Sequence, residues 1–175
     1  MRLLFTINVR NKFSPPFPIG YYGNGIAPVL VVTTSRKLCQ NPLEYTLELI
    51  KSVKANVTEE YFRSLLDLFE IKGRPFLTKV HSYSVSDIRR LGFANIDFGR
   101  GKPTYGGTFK LFQEPDFEPT SLYISLKNSQ GEDGIMVPMC LPTSRMERFV
   151  KELYTILGDH VERSPTFKFI ISSLQ

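Results

Sequence analysis

The stretch Arg2-Leu3-Leu4-Phe5-Thr6-Ile7-Asn8-Val9-Arg10-Asn11-Lys12-Phe13-Ser14-Pro15-Pro16-Phe17-Pro18-Ile19-Gly20-Tyr21-Tyr22-Gly23-Asn24-Gly25 sets the pattern of the whole chain. Leu3 to Val9 is apolar and β-prone and reads as a strand. Pro15, Pro16 and Pro18 then forbid both helix and central strand, so the spacing predicts an extended, polyproline-like connection. Turn residues at 23–25 end it, and Ala27 to Thr34, with Val29, Val31 and Val32, reads as a second strand. An apolar strand that begins at residue 2 without a polar lead-in is the pattern expected where preceding sequence has been lost.

Helices follow. Asn41-Pro42-Leu43-Glu44 predicts a start with Asn41 as cap, and Leu43, Leu47, Ile50 and Val53 recur at helical spacing to about Ala55. Thr58 caps a second helix with Glu59 and Glu60 in its first turn, where carboxylates suit the positive end of the macrodipole. Tyr61, Phe62, Leu65, Leu66 and Phe69 give it an apolar face, and Gly73-Arg74-Pro75 stops it. Phe76 to Val85 reads as a strand, and Gly92 to Gly107 as Gly-rich irregular chain. Leu122–Lys127 and Gly134–Cys140 form a hairpin pair, and a last helix spans Pro142–Leu157, with Ser144 and Glu147 in capping-box relation. Its apolar face is Met146, Phe149, Val150, Leu153 and Leu157, and Phe167–Ile171 closes the chain as a strand. The fold class is therefore α/β, one domain with a mixed β-sheet and flanking helices.

Composition narrows the function. The 175 residues are 42% hydrophobic and 22% charged, enough for a sizeable core without a disulfide or metal staple. No apolar run approaches the ~20 residues of a membrane-spanning helix, and residues 1–10 lack the features of a secretory leader. A cytoplasmic location, with Cys39 and Cys140 as reduced thiols, is the expectation. The two cysteines and two histidines form no cluster, so no metal site is expected. The net charge of +5 is scattered, with Arg89-Arg90 as an adjacent pair and no basic stripe, so nucleic acid is not an expected partner.

Catalytic constellations are missing. His81 lies between Val80 and Ser82, in the predicted strand, and His160 follows the last helix, where a basic side chain suits the helix end. Glu59-Glu60 and Glu132-Asp133 fall at a helix start and in a turn, where solvation accounts for them. Gly23-Asn24-Gly25 meets proline at position 28, so the dinucleotide-binding fingerprint fails. Asp97-Phe98-Gly99 matches the kinase metal-binding triplet without the rest of the kinase set.

Two segments are more specific. Arg10-Asn11-Lys12, continuing through Pro15-Pro16-Phe17-Pro18-Ile19-Gly20-Tyr21-Tyr22-Gly23-Asn24, and Asp97-Phe98-Gly99-Arg100-Gly101-Lys102-Pro103 together resemble the carboxyl-terminal half of the plant BAHD acyltransferases. That family carries Asn-x-Arg-x-Arg-x-x-Pro-Pro-x-Pro-x-Gly-Tyr-Phe/Tyr-Gly-Asn and, later, Asp-Phe-Gly-Trp-Gly-x-Pro. Val57-Thr58-Glu59-Glu60-Tyr61, Ile71-Lys72-Gly73-Arg74-Pro75 and Gly131-Glu132-Asp133-Gly134-Ile135 are similar to its benzyl alcohol O-benzoyltransferase-like branch.

The resemblance implies a chloramphenicol acetyltransferase-like α/β domain and transfer of an acyl group from CoA to an alcohol. Acyl-CoA would be a co-substrate, with no covalently bound cofactor. It implies that residues 1–175 form the carboxyl-terminal domain of such a protein, without the amino-terminal domain that bears the His-x-x-x-Asp base. Val85 stands four residues after His81 and Ser164 four after His160, so the motif is absent from these residues. Catalytic silence of the chain alone follows, since a general base is worth about 10²–10⁴ in rate.

By the same resemblance Arg10 and Lys12 stand where the phosphates or pantetheine of CoA would be met, the alternative being a solvated strand end. Lys72 stands at an acceptor-side position of some relatives. Asp97, Phe98, Gly99, Arg100 and Gly101 form the structural signature, with Arg100 in the place of the family's Trp; restoring Trp there is expected to stabilise the chain. The competing reading is a non-catalytic CoA-binding or interaction module that docks with an intact relative.

Overall fold

A computed structural model of the chain describes residues 1–73, 80–103, 105–107, 120–127, 131–139 and 141–158. The chain divides into two compact units, Met1–Asp87 and Ile88–Gln175.

In the first unit β1 (Arg2–Asn8) pairs antiparallel with β2 (Ile26–Val32) and parallel with β3 (Ser82–Asp87), so the sheet is mixed. The register sets Leu3 opposite Val31, Phe5 opposite Val29 and Ile7 opposite Ala27, while Tyr83 and Val85 face Leu3 and Phe5 from the other side. Period-2 alternation therefore collects one apolar face. Phe5, Val9, Ala27, Val29 and Val31 are buried there with Val57 and Phe62. Pro28 lies in the outer strand β2, where a missing N–H is tolerated, and its carbonyl accepts from the Tyr61 hydroxyl at 3.0 Å.

Between β2 and β3 the described residues form three helices: α1 (Ser35–Gln40), α2 (Leu43–Ala55) and α3 (Glu59–Lys72). The sequence did not announce α1, whose cap is Thr34, with Oγ1 accepting from the Lys37 amide at 3.2 Å. This helix also corrects the expected start of α2. Asn41 donates its side-chain amide to the Lys37 carbonyl at 2.8 Å, finishing α1, and Pro42 takes the cap position of α2 without a side-chain bond. The inward face of α2 is turned as well: Leu43 and Leu47 are exposed, while Leu49, Ile50 and Val53 pack on the core. Thr58 caps α3 as read, accepting from the Tyr61 amide at 3.1 Å. Phe62 is its buried residue and Leu65 packs beside it.

The reading of His81 as a mid-strand residue is also corrected. Val80 and His81 form a turn, His81 has φ 57°, and pairing with β1 starts only at Ser82. Arg2 fastens that turn, its amide reaching the His81 carbonyl at 2.8 Å and its guanidinium the Val80 carbonyl at 3.1 Å.

In the second unit β4 (Thr120–Lys127) and β5 (Asp133–Met136) pair antiparallel, with Lys127 opposite Asp133. The expected second strand is shorter than Gly134–Cys140 because Pro138 has no N–H to continue the ladder. Leu122 and Ile124 are buried. The last helix, α4 (Thr143–Leu157), begins with Pro142 as cap, and the Pro142 carbonyl accepts from the Arg145 and Met146 amides. Ser144 thus sits inside the helix and the capping box does not form. Its predicted face stands: Met146, Phe149, Val150, Leu153 and Leu157 are half-buried and the positions between them exposed. The final strand, His160 and Cys140 lie outside the described residues.

Candidate functional site

Residues 10–25 form a compact loop, not the extended connection that three prolines suggested. Its aromatic residues explain the difference. Phe13 stacks on Phe17 with centroids 4.7 Å apart, meets buried Phe62 edge-on at 5.4 Å, and Phe17 reaches Tyr21 at 4.7 Å. Each such pair adds about 0.5–1.5 kcal/mol beyond the area it buries.

Arg10 closes the loop. Its Nη2 donates to the Gly23 carbonyl at 2.6 Å, its carbonyl accepts from the Phe17 amide at 3.1 Å, and the Val9 amide reaches the Gly25 carbonyl at 2.9 Å. Gly25 is buried, and a Cβ there would meet Arg10 Cγ at 2.8 Å and Phe17 Cε2 at 3.1 Å. Only glycine lets the arginine stem lie so close. Lys12 is exposed, its amide spent on the Val9 carbonyl at 2.9 Å, and among the described residues its ammonium meets no partner. The structure thus brings the two cations into one loop, one half-buried and clasped, the other in solvent.

The loop is fastened to the start of α3. Glu59 Oε2 accepts from the Ser14 amide at 3.1 Å, and its Oε1 accepts from Arg63 Nε at 2.9 Å and Nη2 at 2.7 Å. Arg63 lies over the Phe13 ring at 5.5 Å. Arg63's hydrogen bonds, and then the Ser14 amide, hold the Glu59 carboxyl below its ordinary range. Sequence reading placed Glu59 only as a helix-start acid; no local signal ties it to Ser14, 45 residues away.

The signature segment is built around one oxygen. Asp97 Oδ1 accepts from the amides of Gly99 at 2.7 Å, Arg100 at 3.1 Å and Gly101 at 3.0 Å. Gly99 and Gly101 have φ of 84° and 94°, which explains both glycines. Phe98 and Arg100 point outward and are exposed. Arg100 is exposed, so the expectation that Trp at position 100 would fill a buried volume finds no cavity among the described residues.

Lys72 is not brought to the loop. It is exposed at the far end of α3, nine residues beyond Arg63, about 14 Å along the helix axis. The exposed imidazole of His81 has no carboxylate partner among the described residues. Arg89 and Arg90 line an open cleft of about 300 Å³ with Ser125, Asp133, Gly134 and Ile135. The acid on its lining, Asp133, is bonded to Lys127 at 2.8 Å. Among the described residues no cluster suits a metal ion, and no helix is long and apolar enough to cross a membrane.

Comparison with known proteins adds the following. A family model described as the Transferase family matches residues 1–156. The benzyl alcohol O-benzoyltransferase of Petunia hybrida is 49% identical over 175 residues, 99% of this chain and 38% of that protein. The enzyme of the same name from Nicotiana tabacum is 51% identical over 153 residues, 87% of this chain and 33% of its own. The 13-hydroxylupanine O-tigloyltransferase of Lupinus albus is 46% identical over 157 residues, 87% of this chain and 34% of its own. The chain therefore spans about a third of the length of these relatives. The crystal structure of vinorine synthase superposes with a TM-score of 0.56 at 19% identity, over 89% of this chain and 35% of that one, which shows a shared α/β fold.

Proposed function

The chain belongs to the BAHD transferase family, and from that premise we propose that it is the donor-side scaffold of an acyl-CoA-dependent O-acyltransferase. In this reading it is the carboxyl-terminal domain of such an enzyme and takes an acyl-CoA and a small alcohol. The observation that carries the proposal is the clasped loop, which holds Arg10 and Lys12 two positions apart at the family's paired basic sites.

The phosphates of CoA are the natural counter-charge for such a pair. Arg10, fixed by Gly23 and Gly25, offers its remaining N–H groups in a set direction. Lys12 adds a mobile point charge on a solvated stem. Neither residue does the chemistry. In the transfer, the alcohol oxygen attacks the thioester carbonyl, the C–O bond forms, and the C–S bond breaks to release the thiolate. A base must take the alcohol proton. Within these 175 residues neither histidine belongs to a His-x-x-x-Asp motif, so the base has to come from elsewhere. A second reading, a non-catalytic CoA-binding module, rests on the same loop and the same missing motif.

Calorimetry with CoA at low and high salt tests the proposal. Weak, millimolar binding that fades with salt is expected, and Lys12→Ala should weaken it further. No heat at millimolar CoA would overturn it.

A further inference from the structure

We propose that Glu59 is a positioning residue for the basic loop: from the first turn of α3 it holds the segment that carries Arg10 and Lys12 in one fixed conformation. The staple rests on geometry alone; that the conformation serves CoA rests on the function proposed above.

The two carboxylate oxygens divide the task. Oε2 takes the Ser14 amide, while Oε1 takes Arg63, which in turn covers the Phe13 ring. Glu59 thus grips the loop at two adjacent residues, once directly and once through a cation. Ser14 is two residues from Lys12 and four from Arg10, so fixing Ser14 limits how far either can stray. The other end of the loop is closed separately by the Arg10–Gly23 bond. Loss of Glu59 would leave that clasp and the Phe13–Phe62 contact in place and release the Ser14 amide between them and the prolines. Ordering a loop in advance lowers the entropy lost when a ligand binds, so the staple bears on affinity without touching the ligand.

A plainer role competes, because any acid in the first turn of a helix is stabilised by the macrodipole. Glu60 provides the control. It carries the same charge in the same turn, is exposed, and has no loop contact among the described residues.

The experiment measures amide exchange at Ser14 and CoA affinity in the full chain, comparing wild type with Glu59→Ala, Glu59→Gln and Glu60→Ala. Glu59→Ala should speed Ser14 exchange on the order of tenfold and weaken CoA about threefold to tenfold. Glu59→Gln keeps an acceptor and should recover part of both; Glu60→Ala should change neither. Equal effects of Glu59→Ala and Glu60→Ala would overturn the staple, as would an unprotected Ser14 amide in wild type. If wild type binds no CoA, the proposed function fails, and exchange at Ser14 alone then decides the staple.

Discussion

The guanidinium of Arg10 reaches across the loop to the carbonyl of Gly23, 13 residues further on, at 2.6 Å. A residue expected to meet a ligand is thus also the one that shapes its own loop. The two roles can be separated. Arg10→Ala should cost about 1 kcal/mol of stability, the net worth of a hydrogen bond, and should also weaken CoA binding. Lys12→Ala should weaken CoA binding while leaving stability within about 0.5 kcal/mol. Urea unfolding of the two variants, read beside calorimetry, checks both; a stable Arg10→Ala chain would contradict the clasp.

Gly25→Ala tests the same clasp from the other side. A methyl group at residue 25 has to displace the Arg10 stem or the Phe17 ring. A loss of about 1–3 kcal/mol is expected, the usual cost of overpacking. An unchanged unfolding midpoint would show that the loop is looser than described.

Asp97 should matter to folding and not to binding. Removing its carboxylate in Asp97→Ala strips three amides of their acceptor, and because the site is exposed, water recovers part of the loss. A destabilisation of about 1–2 kcal/mol is expected by chemical unfolding, with CoA heat unchanged. Gly101→Ala, which forces φ of 94° on a side chain, should cost about 1 kcal/mol or more. Arg100→Trp should move stability by no more than about 0.5 kcal/mol, because the side chain is exposed.

Acid should act on the staple. Glu59 titrates below its ordinary value of 4.5 in the folded chain, held there first by Arg63 and then by the Ser14 amide. A lowered folded pKa contributes stability that is fully present above the unfolded value. That contribution is lost as the pH falls below 4.5 and through the folded value. Glu59→Gln should remove this part of the acid sensitivity while Glu60→Gln keeps it, as measured by unfolding midpoints from neutral pH downwards.

Local patterns made much of this architecture legible. Apolar, β-prone runs gave β1 and β2, Thr58 gave the start of α3, and helical spacing gave the inward face of α4 residue by residue. What failed was decided by competition or by distance. Asn41 is a good cap for α2, yet a helix of six residues directly before it claims its side chain. Pro15, Pro16 and Pro18 argued for an extended segment, but Phe13 and Phe17 fold it back onto Phe62. His81 leaves the strand because its φ of 57° breaks the extended backbone, although its carbonyl still accepts from the Arg2 amide. Arg10 and Lys12 in the first unit, and separately the Asp97 segment in the second, were found through their motifs, while the Ser14–Glu59 bond, which joins residues 45 apart, left no mark in the sequence.

The central claim is that these residues supply the frame of an acyl transfer and not its base. Thiol release from benzoyl-CoA in the presence of benzyl alcohol measures this directly, first with the chain alone and then with a separately supplied His-x-x-x-Asp segment from a relative. The account predicts background rates alone and turnover only once that segment is added. Turnover by the chain alone, abolished by His81→Ala or His160→Ala, would contradict it.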